Sequence, residues 1–461
     1  MGDGVIFGQI RWVDSHKWKQ FAVALGYYWL LCLVDRTILA PLFGYQGLAY
    51  RSVPIQTQIY VLGLILLCTA ITPVRYRQPS DGVLYMLLSL VVIPVLMVAA
   101  TDVVFANVAT GVIISVAGAY LLLAVCSMVP RLRGDSVGRL AWQRPWMIAV
   151  LLSIASYGLM FATFGIQFKL LSFSDVYNVR SVFTAQESGP LGYLLDWQAN
   201  VINPFFIVYG IRFHRILPLI IGALGDFLIY TTTGDKSVLF SAIAIVAIIA
   251  ALHQNESAAR PPAAGVRIGL SFAFLAAVAY TIDRLSHSFI WTSLFVRRLS
   301  LVAGVNTGYY FQYFSFAPKT HLAYGLIGAI LGTSGATPPP QQIAFAIYHT
   351  TVGNPNVNIW ADAYANFGYI GVIAFTLILA GFLWLYDGVA QKINRQEATV
   401  LITIPALTLT NSALFTCLLT HGMLLALFFV MQWPGTVQHA DEAARSQACH
   451  GRSGSVELTV R

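Results

Sequence analysis

Charge is scarce in this chain. Asp, Glu, Lys and Arg make up only 10% of its 461 residues, while 57% are hydrophobic. Such a composition excludes an ordinary soluble domain. It fits a protein whose solvent is largely lipid. The five cysteines exclude a disulfide framework. Cys32, Cys68, Cys126 and Cys417 lie in apolar stretches and Cys449 in the polar tail, so no two share a polar loop. No Cys/His cluster with zinc spacing occurs, and no metal is expected. There is no Asp-x-Asp motif to hold a metal-bound nucleotide sugar and no Gly-x-Ser-x-Gly elbow. Thr231 to Ser237 (TTTGDKS) is not a phosphate loop, because Asp235 rather than Gly precedes Lys236 and the earlier Gly is missing. No internal repeat and no inverted duplication of transporter type is visible. Residues 1–20 are polar and the next segment is long enough to span, so no cleavable leader is expected.

What the chain does have is apolar blocks of about 20 residues, the length that crosses roughly 30 Å of hydrocarbon as a helix. They predict an all-α, polytopic integral membrane protein of 12 spans, near 21–41, 54–73, 82–100, 107–128, 146–167, 190–210, 216–231, 236–253, 268–287, 368–386, 398–410 and 412–432. Pro405 and the Asn411-Ser412 pair favour a tight hairpin between the last two. A single membrane domain over 1–434 is thus expected, followed by a polar cytoplasmic tail over 435–461.

The basic residues orient it. With the N-terminus cytoplasmic, the inner loops and tails hold 18 of the 27 Lys and Arg residues and the outer loops hold eight. That excess follows the positive-inside rule and accounts for the net charge of +8 without nucleic acid. Both termini are then cytoplasmic. Two outer loops are long, at about 168–189 and 288–367. Unstructured loops beyond about 15 residues are uncommon unless they serve a function. The larger one is rich in aromatics, which suits the membrane interface or a re-entrant fold.

Candidate chemistry concentrates in these outer loops. Arg297 and Arg298 precede Tyr309, Tyr310 and Tyr313, and Arg180 lies in the other long loop. Guanidinium groups bind phosphate bidentately, and aromatic faces pack on sugar rings. The alternative is that these residues simply anchor the interface. Lys236 with the hydroxyls before it can hold an anion at a helix start, or only cap and snorkel. His349, Asn354, Asn356 and Asp362 stand within a short stretch before a span. His moves protons near neutral pH, Asn suits sugar hydroxyls, and Asp362 is either a base or a helix cap. Asp196 and Asp226 are ionisable groups inside spans, where function or interhelical hydrogen bonding is the usual reason for them.

Taken in order along the chain, these motifs resemble the bacterial O-antigen polymerases, the oligosaccharide repeat-unit polymerases. The resemblance covers about 170–425 and rests on five features. They are Thr233-Gly234-Asp235-Lys236-Ser237, Arg297-Arg298, the Tyr-Tyr-Phe-Gln-Tyr-Phe-Ser run from Tyr309, the stretch from Gly353 to Gly368, and Leu419-Thr420-His421-Gly422. It implies an all-helical GT-C-type glycosyltransferase at the periplasmic face of the bacterial inner membrane. Such an enzyme is inverting, independent of metal and free of cofactor. It moves a growing glycan from undecaprenyl pyrophosphate to a new lipid-linked repeat unit. The resemblance also implies lipid-linked glycans and the bilayer as partners, with a chain-length regulator and a flippase of the same pathway. Arg180, Lys236, Arg297 and Arg298 would hold the pyrophosphate, Tyr309, Tyr310, Tyr313, Asn354 and Asn356 the sugars, and His349 or Asp362 would be the base. An O-antigen ligase and a lipid-linked sugar transporter are the alternatives.

The orientation is directly testable. Reporter fusions near residues 135 and 260 should give cytoplasmic signals, and fusions near 180 and 340 external ones. A cytoplasmic signal at 340 would put every proposed residue in the wrong compartment.

Overall fold

A computed structural model describes residues 15–131, 145–166, 190–253, 260–351 and 353–432, together with Val179 and Phe183. The loop around Arg180 and the tail beyond Gln432 lie outside the described residues. The described chain is helical, with one isolated antiparallel bridge, Tyr50 to Asp102. Eight helical runs are long and apolar enough to cross a membrane. In chain order the helices are α1 (Ser15–Gln46), α2 (Ile55–Ile71), α3 (Asp81–Thr101), α4 (Ala109–Cys126), α5 (Pro145–Phe164), α6 (191–212), α7 (Ile216–Thr233), α8 (Lys236–Leu252), α9 (Ala264–Ser286) and α10 (290–314). Two short helices follow, α11 (Gly325–Ile330) and α12 (Pro339–Ala346). The last four are α13 (Ile359–Val389), α14 (395–410), α15 (Leu414–Leu419) and α16 (Met423–Gln432). The turn after α14 falls at Asn411-Ser412, where the sequence places a hairpin.

Helix α3 is the axis of the bundle, and every residue of it is buried. Three helices widen by a turn of π-helix just before a proline. The widened turns are Asp35–Leu39 before Pro41, Leu88–Val92 before Pro94, and Gln198–Ile202 before Pro204. The cause is local. Proline donates no hydrogen bond and its ring clashes with the carbonyl four residues earlier. A wider turn relieves that clash without breaking the helix.

Charged residues tie one end of the bundle together. Arg77 pairs with Asp81 at 3.0 Å, and Arg212 pairs with Glu397 at 3.0 Å. Asp387 accepts from the Ser80 backbone N–H at 2.9 Å and its hydroxyl at 2.5 Å. Arg131 reaches Gln78 at 2.9 Å, and Arg75 reaches the Pro261 carbonyl at 2.8 Å. These residues come from the loops assigned to the cytoplasm. The loops assigned outside also meet one another: Asp102 accepts from the Ala49 N–H, and Arg297 donates to Gln46 at 2.6 Å.

The stretch 288–367 differs from its expectation as an outer loop. Residues 290–314 are one helix, and its second half is buried almost throughout. Gly304 faces Val98 so closely that an added Cβ would stand 3.1 Å from it, and Gly308 lies against the Phe105 ring. Small residues let this helix sink onto α3. Its Asn306, Thr307 and tyrosines hide that burial from a hydropathy reading.

Candidate active site

Helix α13 is two helices meeting at a break. Phe367 leaves helical geometry, and Gly368 adopts φ 65° and ψ −150°, a conformation that glycine alone enters readily. The half before the break, 359–366, is buried. Asn358 caps it, accepting from the Trp360 and Ala361 N–H groups at 3.1 and 3.3 Å, and donates to the Thr307 hydroxyl at 2.7 Å. Asp362 is therefore not the cap.

The segment 319–324 clamps the end of that half-helix through Asn366. The Asn366 carbonyl oxygen accepts from the Thr320 hydroxyl at 2.8 Å and the Leu322 N–H at 2.9 Å. Its amide donates to the Tyr324 hydroxyl at 2.9 Å and the Asp362 carbonyl at 3.0 Å. These four bonds use the full capacity of the side chain. His321 and Leu322 both take positive φ to make the turn, 49° and 58°.

This clamp presents Asp362. The carboxyl is buried, and Tyr324 donates to its Oδ1 at 3.3 Å, while Oδ2 is buried without a hydrogen-bond partner among the described residues. Lys319 stands beside the break. Its ammonium lies 3.7 Å from the centre of the Tyr364 ring, donates to the Phe314 carbonyl at 2.6 Å, and its stem lies against Gly368. Burial lowers the Lys319 pKa to about 8. Tyr364 stacks in turn on Phe311, with centroids 4.0 Å apart. One half-helix thus carries a half-buried cation over an aromatic face and, elsewhere on it, a buried carboxyl.

The residues nominated by sequence fall into several places. His349 is exposed, at φ 52°, on the turn after α12. Asn354 and Asn356 are exposed, and the Asn356 carbonyl accepts from Asn306 at 2.7 Å. Tyr310 is fully buried, with its hydroxyl on the Pro355 carbonyl, so its ring faces the core. Tyr309 is buried between Phe105 and Tyr348. Tyr313 is half-buried, with its hydroxyl toward Gln342. Arg297 is buried, stacked on Phe43 at 4.1 Å and bonded to Gln46 and Ser293, whereas Arg298 is exposed. Lys236 opens α8, and Arg180 lies outside the described residues. Asp226 belongs to a buried network with Asn203 at 2.8 Å and Ser241 at 3.1 Å, which holds α6, α7 and α8 together. Among the described residues no group of three His, Cys, Asp or Glu side chains is placed to hold a metal.

Sequence reasoning gave no role to Lys319, a cation that follows the aromatic run, to Asn366 in the 353–368 stretch, or to Tyr324. The signal available for them was the Phe367-Gly368 break inside a long apolar helix, since irregular backbone at such a place has to be held by neighbours. Replacing Asn366 with Ala orphans the groups it satisfies, at about 1–3 kcal/mol each. We expect Asn366→Ala to lower the thermal denaturation midpoint in detergent by several degrees. An unchanged midpoint would show that the clamp does not hold the half-helix.

No family model matches the chain, no curated protein matches it and no solved structure matches it, so its functional reading rests on the residues themselves.

Proposed function

We propose that the chain is a lipid-pyrophosphate-dependent glycan polymerase of 12 spans and GT-C-like architecture, working on the periplasmic face of a bacterial inner membrane. The observation that carries this reading is the site at the 359–368 break, where Lys319 lies over the Tyr364 ring and Asp362, on the same half-helix, keeps a buried carboxyl. Eight runs meet the length and hydropathy of a span. Helices α2, α6, α8 and α14 complete the 12 in alternating direction.

The chemistry follows from the substrate. Pyrophosphate is a good leaving group whose charge grows as the anomeric C–O bond breaks. Fixed cations in a site of low dielectric stabilise that charge best. Exposed Arg298 and half-buried Lys319 are the cations this reading assigns to it, with Arg180 and Lys236 as further candidates. Arg297, expected from the sequence to hold pyrophosphate, is buried against Phe43 and Gln46, and this reading reassigns it as the anchor that fixes the start of α10 against α1 and so positions Arg298. Tyr364, buried between Phe311 and Lys319, holds the ammonium in place, and Asn354 and Asn356 on the exposed segment before the half-helix are left to meet the sugar. No cofactor is required, and attack opposite the leaving group inverts the anomeric centre. The expected partners are the undecaprenyl-pyrophosphate glycans, the bilayer, and the flippase and chain-length regulator of the same pathway.

The lipopolysaccharide ladder of a deletion strain tests the reading. A single repeat unit on the core supports a polymerase, no glycan on the core points to a ligase, and an unchanged ladder rejects both. Purified protein should elongate lipid-pyrophosphate repeat units in EDTA; strict dependence on magnesium would contradict the metal-free mechanism.

Arg298→Ala should abolish or shorten the polymer while the protein still inserts, because a charge-assisted contact worth roughly 1.5–3 kcal/mol is lost. Lys at 298 should rescue only in part. Activity should fall as pH rises through about 8, where Lys319 loses its proton and with it its attraction for phosphate. A flat profile from pH 7 to 9 together with wild-type chain length in Arg298→Ala would remove both cations from the mechanism.

A further inference from the structure

A second constellation sits at the start of the last helical pair. The apolar run Leu414–Gln432 is long enough to span but is broken between α15 and α16. Gly422 makes the break at φ 89°, pressed against Val201 of α6. His421 precedes it, and both of its ring nitrogens face polar groups. Nε2 lies 3.2 Å from the Ser412 hydroxyl. Nδ1 lies 3.2 Å from Asp196 Oδ2 on α6, close enough for ionic attraction but off the line of a hydrogen bond. Asp196 is the more exposed of the two, at 40% against 21%, so its carboxylate has room to turn into line. Trp197 fastens the two elements, donating to the Leu419 carbonyl at 2.8 Å.

An ionisable pair inside an apolar run, at a helix break, calls for a functional explanation. Packing alone would be served by an apolar residue at 421. The geometry has the three parts of a general-base device. An acid, Asp196, lies against Nδ1 at 3.2 Å. Turned into line, its carboxylate would hold the proton on Nδ1 and leave Nε2 as the acceptor. A hydroxyl already occupies the position from which Nε2 would draw a proton. The neighbourhood also joins this device to the site around Asp362. The Cys417 thiol lies within electrostatic reach of both Asp196 and Asp362. Ring contacts run from His321 through Phe367 and Phe375 to Phe415 on α15, across the break in α13.

We infer that His421 is the base that deprotonates the acceptor hydroxyl, with Asp196 as its positioning residue and Ser412 marking where that hydroxyl binds. The inference rests on the polymerase reading and refines it. His349 is exposed on a turn, and Asp362 is enclosed with a single donor, whereas His421 is oriented, partly accessible and aimed at a hydroxyl. In the step, the acceptor sugar oxygen forms its bond to the anomeric carbon and gives its proton to His421 Nε2. The bond from that carbon to the pyrophosphate oxygen breaks, and the pyrophosphate leaves with the electron pair. The imidazolium that results is stabilised by Asp196 until its proton passes to water.

The test is elongation of undecaprenyl-pyrophosphate repeat units by full-length protein in nanodiscs. His421→Gln should lower kcat about 100-fold or more, the usual reach of a general base, and leave KM within about threefold. Asp196→Asn should lower kcat less, again with little change in KM. Added imidazole should restore part of the activity of His421→Gly, a rescue that a purely structural role would not show. If wild-type protein fails to elongate, the polymerase reading itself falls. If wild-type elongates while His421→Gln stays within threefold of it, or if His421→Gly is dead and imidazole does not revive it, His421 is not the base and the polymerase reading stands.

Discussion

One end of this bundle depends on one side chain, the amide of Asn366. Three of its four hydrogen bonds join the 319–324 turn to the half-helix 359–366, the fourth reaches back to the Asp362 carbonyl within it, and together they support the half-helix beside the break. In lipid, irregular backbone survives only where protein satisfies it. Gly368 supplies the conformation of the break and Asn366 supplies its support. Lys319, Tyr364 and Asp362 take their relative positions from that arrangement. A residue with only donors or only acceptors could not replace Asn366, because the site asks for two of each.

The same constraint recurs through the bundle. The two breaks at glycine, Gly368 and Gly422, are both backed by neighbours. The widened turns before Pro41, Pro94 and Pro204 lie within continuous helices. The break at Gly422 is braced by Trp197 and Val201 from α6. The opposite end is closed by paired charges, Arg77 with Asp81 and Arg212 with Glu397. One end is thus tied by ionic contacts, with Glu397 Oε1 left buried and without a hydrogen-bond partner among the described residues. The other retains an unpartnered Asp362 oxygen and the half-exposed Asp196, His421 and Lys319.

Much of the helical frame was legible in the sequence, because burial in lipid writes itself as hydropathy. The Asn411-Ser412 turn and the grouping of basic loops followed from proline, turn residues and charge. The site was less legible. Arg297 and Arg298 are neighbours in sequence, yet helical geometry turns one into the core and the other outward. His349 looked apt beside its asparagines but lies on an exposed turn, and Tyr310 looked like a sugar platform but faces the core. Hydropathy misread 302–314, since a glycine-rich helix with Asn and Tyr can be buried when small residues let it approach closely. The pairing of His421 with Asp196 spans more than 200 positions in the chain, and no local pattern announces it.

The central claim is that lipid pyrophosphate binds at the outer end, beside the break in α13. It is tested most directly by an experimental structure of the protein in a lipid nanodisc with an undecaprenyl-pyrophosphate repeat unit bound. The account predicts pyrophosphate density in contact with Lys319 or Arg298, with the sugar toward Asn354 and Asn356. Pyrophosphate bound instead at the opposite end, beside Arg77 and Arg131, or no bound lipid at all, would contradict it.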